Sequence, residues 1–290
     1  MIDGRLLVDA HTHVARIGTL SADWQAWARA FGTAIPLHEL FDGDGVPRPA
    51  AIDAHFEAQG ADHVLLFCEY SPKATGIQPI EDVLPVVEAN PVRFRPVANI
   101  NPHLHYPVAA ELARQVSLGA VALKIHPVHA GFEARDRMMY PAYAWAEQRE
   151  LPVIVHCGTS TFSGSANAYA DPILLDEVFR DFPGLTVVLA HGGRGWWYDQ
   201  AAFLALMRPT VWLEVSGLPP QRLGQYYGGS LRRLADKMIF GTDWPGIPGV
   251  ERNARALEKV LLEAGCTSEQ VEAAWGGNAA RVFGLAGRQA

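Results

Sequence analysis

The stretch Leu6-Leu7-Val8-Asp9-Ala10-His11-Thr12-His13 runs from an apolar segment into two histidines that are separated by one residue. If residues 6–13 form a β-strand, side chains alternate across it, so His11 and His13 point to the same side. Their Cα atoms are then about 7 Å apart, a spacing that lets two imidazoles bind one metal ion. The spacing alone is weakly specific, and its meaning depends on which residues end the other apolar segments.

Eight short segments of the chain have the composition of β-strands, mostly rich in Val, Ile and Leu with little alternation. This pattern is typical of parallel strands that are covered on both faces. The segments are residues 6–13, 63–70, 94–101, 120–126, 152–157, 186–191, 211–216 and 237–243. Segments of helical composition separate them, so the pattern predicts an α/β protein with a (β/α)8 TIM barrel. An open doubly wound sheet is the alternative, but no Gly-x-Gly-x-x-Gly turn follows the first strand.

Three connections are longer than a minimal barrel requires. Residues 14–49 form an insertion after strand 1, and residues 158–171 and 192–199 form two further long loops. Loops of this length in compact domains are often functional. Residues 250–290 have the composition of two or three closing helices, so we expect one barrel domain over residues 1–290.

The composition excludes several classes of function. The chain has 290 residues, of which 49% are hydrophobic, and a formal net charge of −7. The negative charge and the lack of a Lys/Arg-rich run argue against a nucleic-acid partner. No apolar stretch approaches the ~20 residues that span a bilayer, and no signal peptide is recognisable at the N-terminus. With three widely spaced cysteines, we expect a reduced cytoplasmic protein that acts on a small molecule.

Polar residues cluster at the C-terminal ends of the predicted strands, where barrel enzymes have their active sites. Histidines and a carboxylate at these ends form a suitable ligand set for Zn²⁺ or another divalent first-row metal. The polar strand-end residues are His11, His13, Glu69, Asn99, Asn101, Lys124, His126, His156, His191, Glu214, Ser216 and Asp243.

Six segments in this order resemble the amidohydrolase superfamily. The similarity is greatest to its amidohydrolase 2 branch, which includes aminocarboxymuconate-semialdehyde decarboxylase. The segments are Val8-Asp9-Ala10-His11-Thr12-His13, Ala122-Leu123-Lys124-Ile125-His126-Pro127, Val155-His156-Cys157-Gly158, Leu189-Ala190-His191-Gly192-Gly193, Phe240-Gly241-Thr242-Asp243-Trp244-Pro245 and Gly277-Asn278-Ala279-Ala280-Arg281-Val282-Phe283-Gly284-Leu285.

The resemblance implies one divalent metal, taken here as Zn²⁺, held by His11, His13, His156 and Asp243. It implies that His191 and Asp243 act in catalysis on metal-activated water. In relatives with two metals, a carboxylated lysine on strand 4 bridges the ions, and Lys124 is on the corresponding strand. Relatives also commonly form dimers, so the resemblance is compatible with a homodimer, and the sequence leaves the oligomeric state open.

The remaining site residues have open alternatives. Lys124 is predicted as a substrate-carboxylate anchor or a carbamate bridge, with an ion pair to Glu214 or Asp243 as the structural alternative. His126 is predicted to support the metal ligands rather than bind the ion. Glu69 and Glu214 either orient metal-bound histidines or simply form hydrogen bonds inside the barrel.

Arg194 and Trp197 follow His191 in the chain and are predicted to contact substrate. A guanidinium beside aromatic faces suits a planar carboxylate, although structural packing of these aromatics is equally consistent. The pair Trp24 and Trp27 has helical i, i+3 spacing, which favours packing over substrate contact.

These features predict a metal-dependent hydrolase that uses metal-activated water on an ester, lactone or amide. The alternative is a metal-dependent decarboxylase of the same branch that acts on an aromatic or unsaturated acid. Hydrolysis is placed first because strand-one and substrate-arginine patterns of many decarboxylases are missing here. A metal-free lactonase and a non-enzymatic binding protein are further alternatives that metal analysis would distinguish.

Overall fold

The computed structural model of the protein describes residues 1–31 and 35–285. Eight of the described strands form one parallel sheet in the order β1-β2-β5-β6-β7-β8-β9-β10, and β3 pairs antiparallel with β4. The strands are β1 Val8–Thr12, β2 His63–Phe67, β3 Glu69–Ser71, β4 Gly76–Gln78, β5 Phe94–Asn99, β6 Leu123–Ile125, β7 Val153–Gly158, β8 Val187–Arg194, β9 Val211–Glu214 and β10 Met238–Ile239.

Helices connect these strands and cover the sheet. They are α1 Ala22–Phe31, α2 Leu37–Leu40, α3 Pro49–Ala58, α4 Leu84–Ala89, α5 Val108–Ser117, α6 Pro127–Ala130, α7 Tyr140–Gln148, α8 Asp176–Asp181, α9 Tyr198–Met207, α10 Leu223–Tyr227, α11 Leu231–Leu234, α12 Val250–Glu263, α13 Ser268–Glu272 and α14 Asn278–Val282. The predicted (β/α)8 barrel is therefore confirmed. No helix in the described ranges is long and apolar enough to cross a membrane.

Hydrogen bonds between the segment after β10 and strand β1 join the two ends of the sheet. The amide of Ala10 donates to the carbonyl of Phe240 over 3.1 Å, and the amide of Asp243 donates to the carbonyl of His11 over 2.9 Å. The predicted strand over 237–243 is thus mostly this irregular segment, and only Met238–Ile239 pairs as a strand with β9. This closure places Asp243 directly beside His11.

Alternate residues of each strand enter two different apolar clusters. Leu65 and Phe67 join the barrel interior, whereas Val64 and Leu66 pack outward against the helices. Because both sets are fully buried, the strands show the continuous apolar composition expected of a covered parallel sheet. Ala279 of α14 packs against the interior cluster.

The structure changes the limits of several predicted strands and shows which helices the longer segments form. The insertion over 14–49 contains α1 and α2, and the chain after 250 forms the expected closing helices, α12, α13 and α14. Predicted strand 63–70 divides at Cys68, so Glu69 belongs to the β3–β4 hairpin rather than to a barrel strand. Strand β8 extends to Arg194, three residues beyond the predicted end.

Candidate active site

A cavity of about 290 Å³ opens at the C-terminal ends of the barrel strands. Most of the predicted site residues line it, namely His11, His13, Glu69, His126, His156, His191, Arg194 and Asp243. Three predicted residues are not in its lining: Lys124, Glu214 and Trp197. The cavity therefore gathers side chains from residues 11 to 243 at one mouth of the barrel.

His11, His13 and Asp243 form the first group of potential metal ligands. Their ligand atoms all lie within 4.8 Å of one another. Oδ1 of Asp243 is 3.4 Å from Nε2 of His13 and 3.6 Å from Nε2 of His11. Nε2 of His11 is buried and has no hydrogen-bond partner among the described residues, so this nitrogen fits a metal ligand.

Glu214 and Ser216 hold the other side of the His11 ring. Nδ1 of His11 lies 2.9 Å from Oε2 of Glu214 and 3.0 Å from Oγ of Ser216. Since the Ser216 hydroxyl donates to the same carboxylate oxygen over 2.8 Å, Nδ1 of His11 is the donor in this network. The lone pair of His11 is then on Nε2, as in metal sites where a carboxylate orients a histidine.

The same serine also positions His191. Nδ1 of His191 is 3.1 Å from the carbonyl oxygen of Ser216 and 3.1 Å from its hydroxyl. A carbonyl oxygen only accepts, so this nitrogen carries the proton and Nε2 holds the lone pair. Burial lowers the pKa of His191 well below its usual value, and the nearby Arg194 charge lowers it further. His191 is thus a neutral imidazole that can accept a proton.

His191 and Asp243 both have left-handed backbone conformations, each with a φ of 65°. Only Asp3 and Glu150 share a positive φ among the described non-glycine residues. Such conformations cost energy and persist where surrounding contacts enforce them, often at functional sites. Although burial opposes ionisation, contact with His13 and the Arg194 charge hold the pKa of Asp243 below its usual range. Asp243 is thus a carboxylate at neutral pH.

A second group consists of His126, His129 and His156, whose ligand nitrogens also lie within 4.8 Å of one another. The structure thus brings His156, predicted as a ligand with His11, together with this second group. Nδ1 of His126 is 3.2 Å from Oε1 of Glu69 and 3.1 Å from Nδ2 of Asn99. Burial raises the pKa of Glu69, but the adjacent His126, His129 and Ser71 together outweigh burial and hold that pKa well below the usual range.

Lys124 lies in the barrel interior and does not reach the cavity lining. Its ammonium is fully buried, 4.9 Å from the ring centroid of Phe67, without a hydrogen-bond partner in the described ranges. No carboxylate of the described residues is within ion-pair distance of it, so the ion pair with Glu214 or Asp243 that was the structural alternative does not form. Burial lowers the pKa of Lys124 and raises that of Glu214, against the attraction between them.

Arg194 reaches the cavity as predicted. Its Nη2 donates to the carbonyl oxygen of Thr159 over 2.9 Å, and its Nη1 lies 3.8 Å from Oδ2 of Asp243. The prediction for Trp197 is corrected, because this residue packs with Val128 and Ala170 away from the cavity.

Sequence reasoning missed several residues of the cavity. Trp24 and Trp27 line it together with Phe162, so the pair for which packing was favoured forms its aromatic wall. His129 escaped notice because it is on the short helix α6 rather than at a strand end, although its i, i+3 spacing from His126 was a usable signal. Ser216 stood among the strand-end residues, but its bridging role depends on residues distant in sequence.

A sequence model of a family described as Amidohydrolase matches residues 8–285. Among solved structures, an uncharacterised TIM-barrel protein of Bordetella bronchiseptica is 24% identical with a TM-score of 0.74, covering 97% of this chain and 99% of that one. A dihydroxybenzoic acid decarboxylase of Polaromonas sp. JS666, with bound manganese and the inhibitor 2-nitroresorcinol, is 16% identical with a TM-score of 0.67, covering 97% of each chain. A probable 2-pyrone-4,6-dicarboxylic acid hydrolase of Acinetobacter baumannii, with bound citric acid, is 16% identical with a TM-score of 0.63, covering 96% of this chain and 99% of that one. At these identities the structural likeness shows the fold alone.

Proposed function

The chain belongs to the amidohydrolase family, and from this premise we propose that it is a metal-dependent hydrolase of small, carboxylate-bearing esters, lactones or amides. The observation that carries the proposal is the convergence on one cavity of His11 and His13 with His191 and Asp243, two residues that have left-handed backbones and lowered pKa values. Asp243 is held as a carboxylate and His191 as a neutral imidazole. Such a pair can accept and pass on the proton that a water nucleophile releases.

The donor set of the first group fits a divalent cation, which we take to be Zn²⁺. His11 and His13 offer imidazole nitrogens and Asp243 a carboxylate oxygen, and Nε2 of His11 has no other partner among the described residues. When bound, such a metal lowers the pKa of water and polarises a carbonyl group. His156 remains a proposed fourth ligand, although its ring centroid lies only 4.8 Å from that of His129 in the second group.

The residues around His11, His13 and Asp243 have separate roles. Glu214 and Ser216 keep the His11 lone pair directed away from them. Asp243 accepts the proton of the attacking water and passes it to Nε2 of the neutral His191, which then delivers it to the leaving group. Arg194, whose guanidinium is partly exposed to the cavity, binds a substrate carboxylate.

A decarboxylase acting on an aromatic acid is the second candidate, and the aromatic wall favours it. The Trp24 and Trp27 rings are 5.8 Å apart, and Phe162 meets Trp27 edge to face at 5.8 Å. Flat apolar faces of this kind accommodate a planar ring. A decarboxylated product needs a proton on the ring carbon in place of the CO2 that leaves. His191 is neutral at rest, so it would first take up a proton from water on Nε2 and then donate it to that carbon.

The two candidates are separated by their products. Metal-stripped protein is reloaded with Zn²⁺, Mn²⁺ or Co²⁺ and incubated with lactone, ester, amide and aromatic-acid panels, while acid formation and CO2 release are measured. Hydrolysis that EDTA abolishes supports the proposal, whereas CO2 release without hydrolysis replaces it with the second candidate. Hydrolysis that is insensitive to EDTA would remove the metal from the mechanism.

Variants connect the activity to the site. Asp243→Asn is expected to lower kcat about 100- to 10,000-fold, the range for loss of a general acid–base group. Asp44→Asn is the matched control, because Asp44 is exposed in the insertion and lies outside the cavity. Equal activity of the two variants would contradict the role of Asp243.

A further inference from the structure

We propose that Glu69, Thr75 and His129 form a subsite that binds a hydroxyl group of the substrate. All three residues line the cavity of the candidate active site. Glu69 begins β3, Thr75 lies in the turn between β3 and β4, and His129 is on α6. The inference rests on the proposed function in taking this cavity as the place where a carboxylate-bearing substrate binds. It adds a second chemical group to the description of that substrate.

Each of the three residues has a buried polar atom that has no hydrogen-bond partner in the described part of the chain. These atoms are Oε1 of Glu69, Oγ1 of Thr75 and Nδ1 of His129. The residues are 4%, 2% and 6% exposed, respectively. Nearly all buried polar atoms in folded proteins have a partner, and leaving one unpaired is unfavourable. Three unpaired atoms on the lining of one cavity therefore indicate a place for a polar group of a ligand.

His129 is a hydrogen-bond donor in this subsite. Oγ of Ser160 accepts from the amide of Phe162 over 3.3 Å and from the hydroxyl of Ser165 over 3.0 Å. The Ser160 hydroxyl therefore donates its own proton to Nε2 of His129, which is 3.0 Å away. Burial holds the pKa of His129 at about 3, so the ring is neutral at neutral pH. Since a neutral imidazole has one N–H and one acceptor nitrogen, Nδ1 of His129 carries the proton.

Glu69 is a hydrogen-bond acceptor in this subsite. The amide of Tyr70 donates to Oδ1 of Asn99 over 3.1 Å, which turns Nδ2 of Asn99 toward His126 as a donor. Nδ1 of His126 accepts from this Nδ2 over 3.1 Å, so it has no proton for Oε1 of Glu69, 3.2 Å away. Oε1 of Glu69 is thus available as an acceptor, and the Thr75 hydroxyl both donates and accepts.

A hydroxyl group fits this combination of donor and acceptor. It donates its proton to Oε1 of Glu69 and accepts from the Nδ1–H of His129. A second carboxylate on the substrate would instead face the Glu69 carboxylate, whose pKa is held well below its usual range. An ammonium group would face the N–H of His129. The subsite therefore selects a hydroxyl group over a second charged group.

The position of the subsite indicates where the hydroxyl lies on the substrate. His129 meets Phe162 of the aromatic wall edge to face, with ring centroids 5.6 Å apart. The centroid of His129 is 4.8 Å from that of His156, which in turn is 4.6 Å from that of His191. Arg194 lies beside Asp243 in the same cavity. The substrate is thus a planar ring on the aromatic wall, with its carboxylate at the guanidinium and its hydroxyl at His129.

The test compares the binding of benzoate with that of the three monohydroxybenzoates, measured by calorimetry on the full-length protein. Zinc-loaded and EDTA-treated protein are both used, because a hydroxyl that binds the metal would favour the hydroxybenzoates in the zinc-loaded form alone. At least one hydroxybenzoate is expected to bind about 10-fold more tightly than benzoate in both forms, as for one buried hydrogen bond to a charged group. The three benzenedicarboxylates are expected to bind no more tightly than benzoate.

Variants assign the preference to the subsite. His129→Phe removes the donor, and Thr75→Val removes a hydroxyl at nearly constant volume. Each is expected to lower the preference for the hydroxybenzoate from about 10-fold to about 3-fold or less. Glu69→Gln removes the negative charge and is expected to tighten the binding of a benzenedicarboxylate. His38→Phe is the matched control that keeps the wild-type preference, because His38 is exposed on α2.

The outcomes separate the subsite from the proposed function. Equal binding of benzoate and the hydroxybenzoates, or a preference confined to the zinc-loaded protein, would overturn the subsite and leave the hydrolase proposal intact. A preference that both His129→Phe and Thr75→Val retain would overturn it as well. A preference that they abolish, in a protein that hydrolyses no substrate of the panels, would support the subsite and overturn the hydrolase. Circular dichroism checks folding, and if one of the two variants does not fold, the other decides.

Discussion

Replacing Gly217 with alanine should destabilise the protein and displace Arg194 from the cavity. Gly217 has a φ of 66°, and a Cβ at this position would collide with Nη1 of Arg194 and lie 3.1 Å from Oδ2 of Asp243 and 3.3 Å from Nδ1 of His191. An L-residue in this left-handed conformation costs about 1 to 2 kcal/mol. Moving the guanidinium also breaks its hydrogen bond to the carbonyl of Thr159, which is worth about 1 kcal/mol.

The expected loss of unfolding free energy is therefore about 2 to 3 kcal/mol. Near the midpoint a chain of this size has an unfolding entropy of about 0.6 kcal/mol per degree, so the Tm should fall by about 4 °C. Thermal and urea unfolding of the metal-free protein measure the change. Steady-state kinetics should show a raised KM for carboxylate-bearing substrates, because Arg194 has left its position.

Gly224→Ala provides the matched control. Gly224 is an exposed residue within α10, and its φ is not positive. Apart from its chain neighbours and the backbone of its own helix, no described heavy atom lies within 4 Å of the point that a Cβ would occupy. Alanine in a helix is favoured over glycine by up to about 1 kcal/mol, so this variant should be unchanged or more stable. If Gly217→Ala were as stable as Gly224→Ala, the strained, close-packed geometry around Arg194 would be wrong.

Three further outcomes are expected. Burial holds the pKa of His129 at about 3, so its contribution to stability is complete above about pH 6.5 and is lost as the pH falls. In EDTA, the free energy of unfolding of the wild-type protein should therefore fall by about 2 kcal/mol more than that of His129→Leu between pH 7 and 5. Urea unfolding measures both, and an equal fall in the two proteins would contradict this. Glu214→Gln should weaken zinc binding at the first site about 10- to 100-fold, measured by chelator competition, and unchanged affinity would show that Glu214 does not orient His11. Arg194→Lys should raise KM for carboxylate substrates more than for their amides, because lysine lacks the bidentate fork, and equal effects on both substrates would exclude carboxylate binding by Arg194.

The barrel could be predicted from sequence because each strand is buried on both faces and so has a continuous apolar composition. Strand boundaries were less predictable where hydrogen bonding rather than hydropathy defines them. The segment that ends at Asp243 has the composition of a strand, yet only Met238 and Ile239 pair with β9. Residues 240–243 leave the pairing with β9 and form hydrogen bonds to β1 instead. A hydropathy pattern does not indicate which strand a segment pairs with.

The site was predictable where residues come directly after a strand and less so elsewhere. His11, His13, His191 and Asp243 meet at the cavity because the C-terminal ends of parallel strands share one mouth of the barrel. The position of Trp197 could not be inferred, because its ring packs with Val128 and Ala170, which are distant in sequence.

The left-handed backbone at His191 and Asp243 lowers the stability of the fold but holds two particular side chains in place. A left-handed conformation costs a non-glycine residue about 1 to 2 kcal/mol, and glycine would adopt it without that cost. His191 is tied to Ser216 through Nδ1, and Asp243 is tied to β1 through its amide. A glycine would avoid this cost but would lack the side chain. The strained residues supply a proton-accepting imidazole at position 191 and a carboxylate beside His11 and His13 at position 243. Because the same two residues flank the cavity, the backbone geometry supports their functional assignment independently of the sequence motifs that first indicated it.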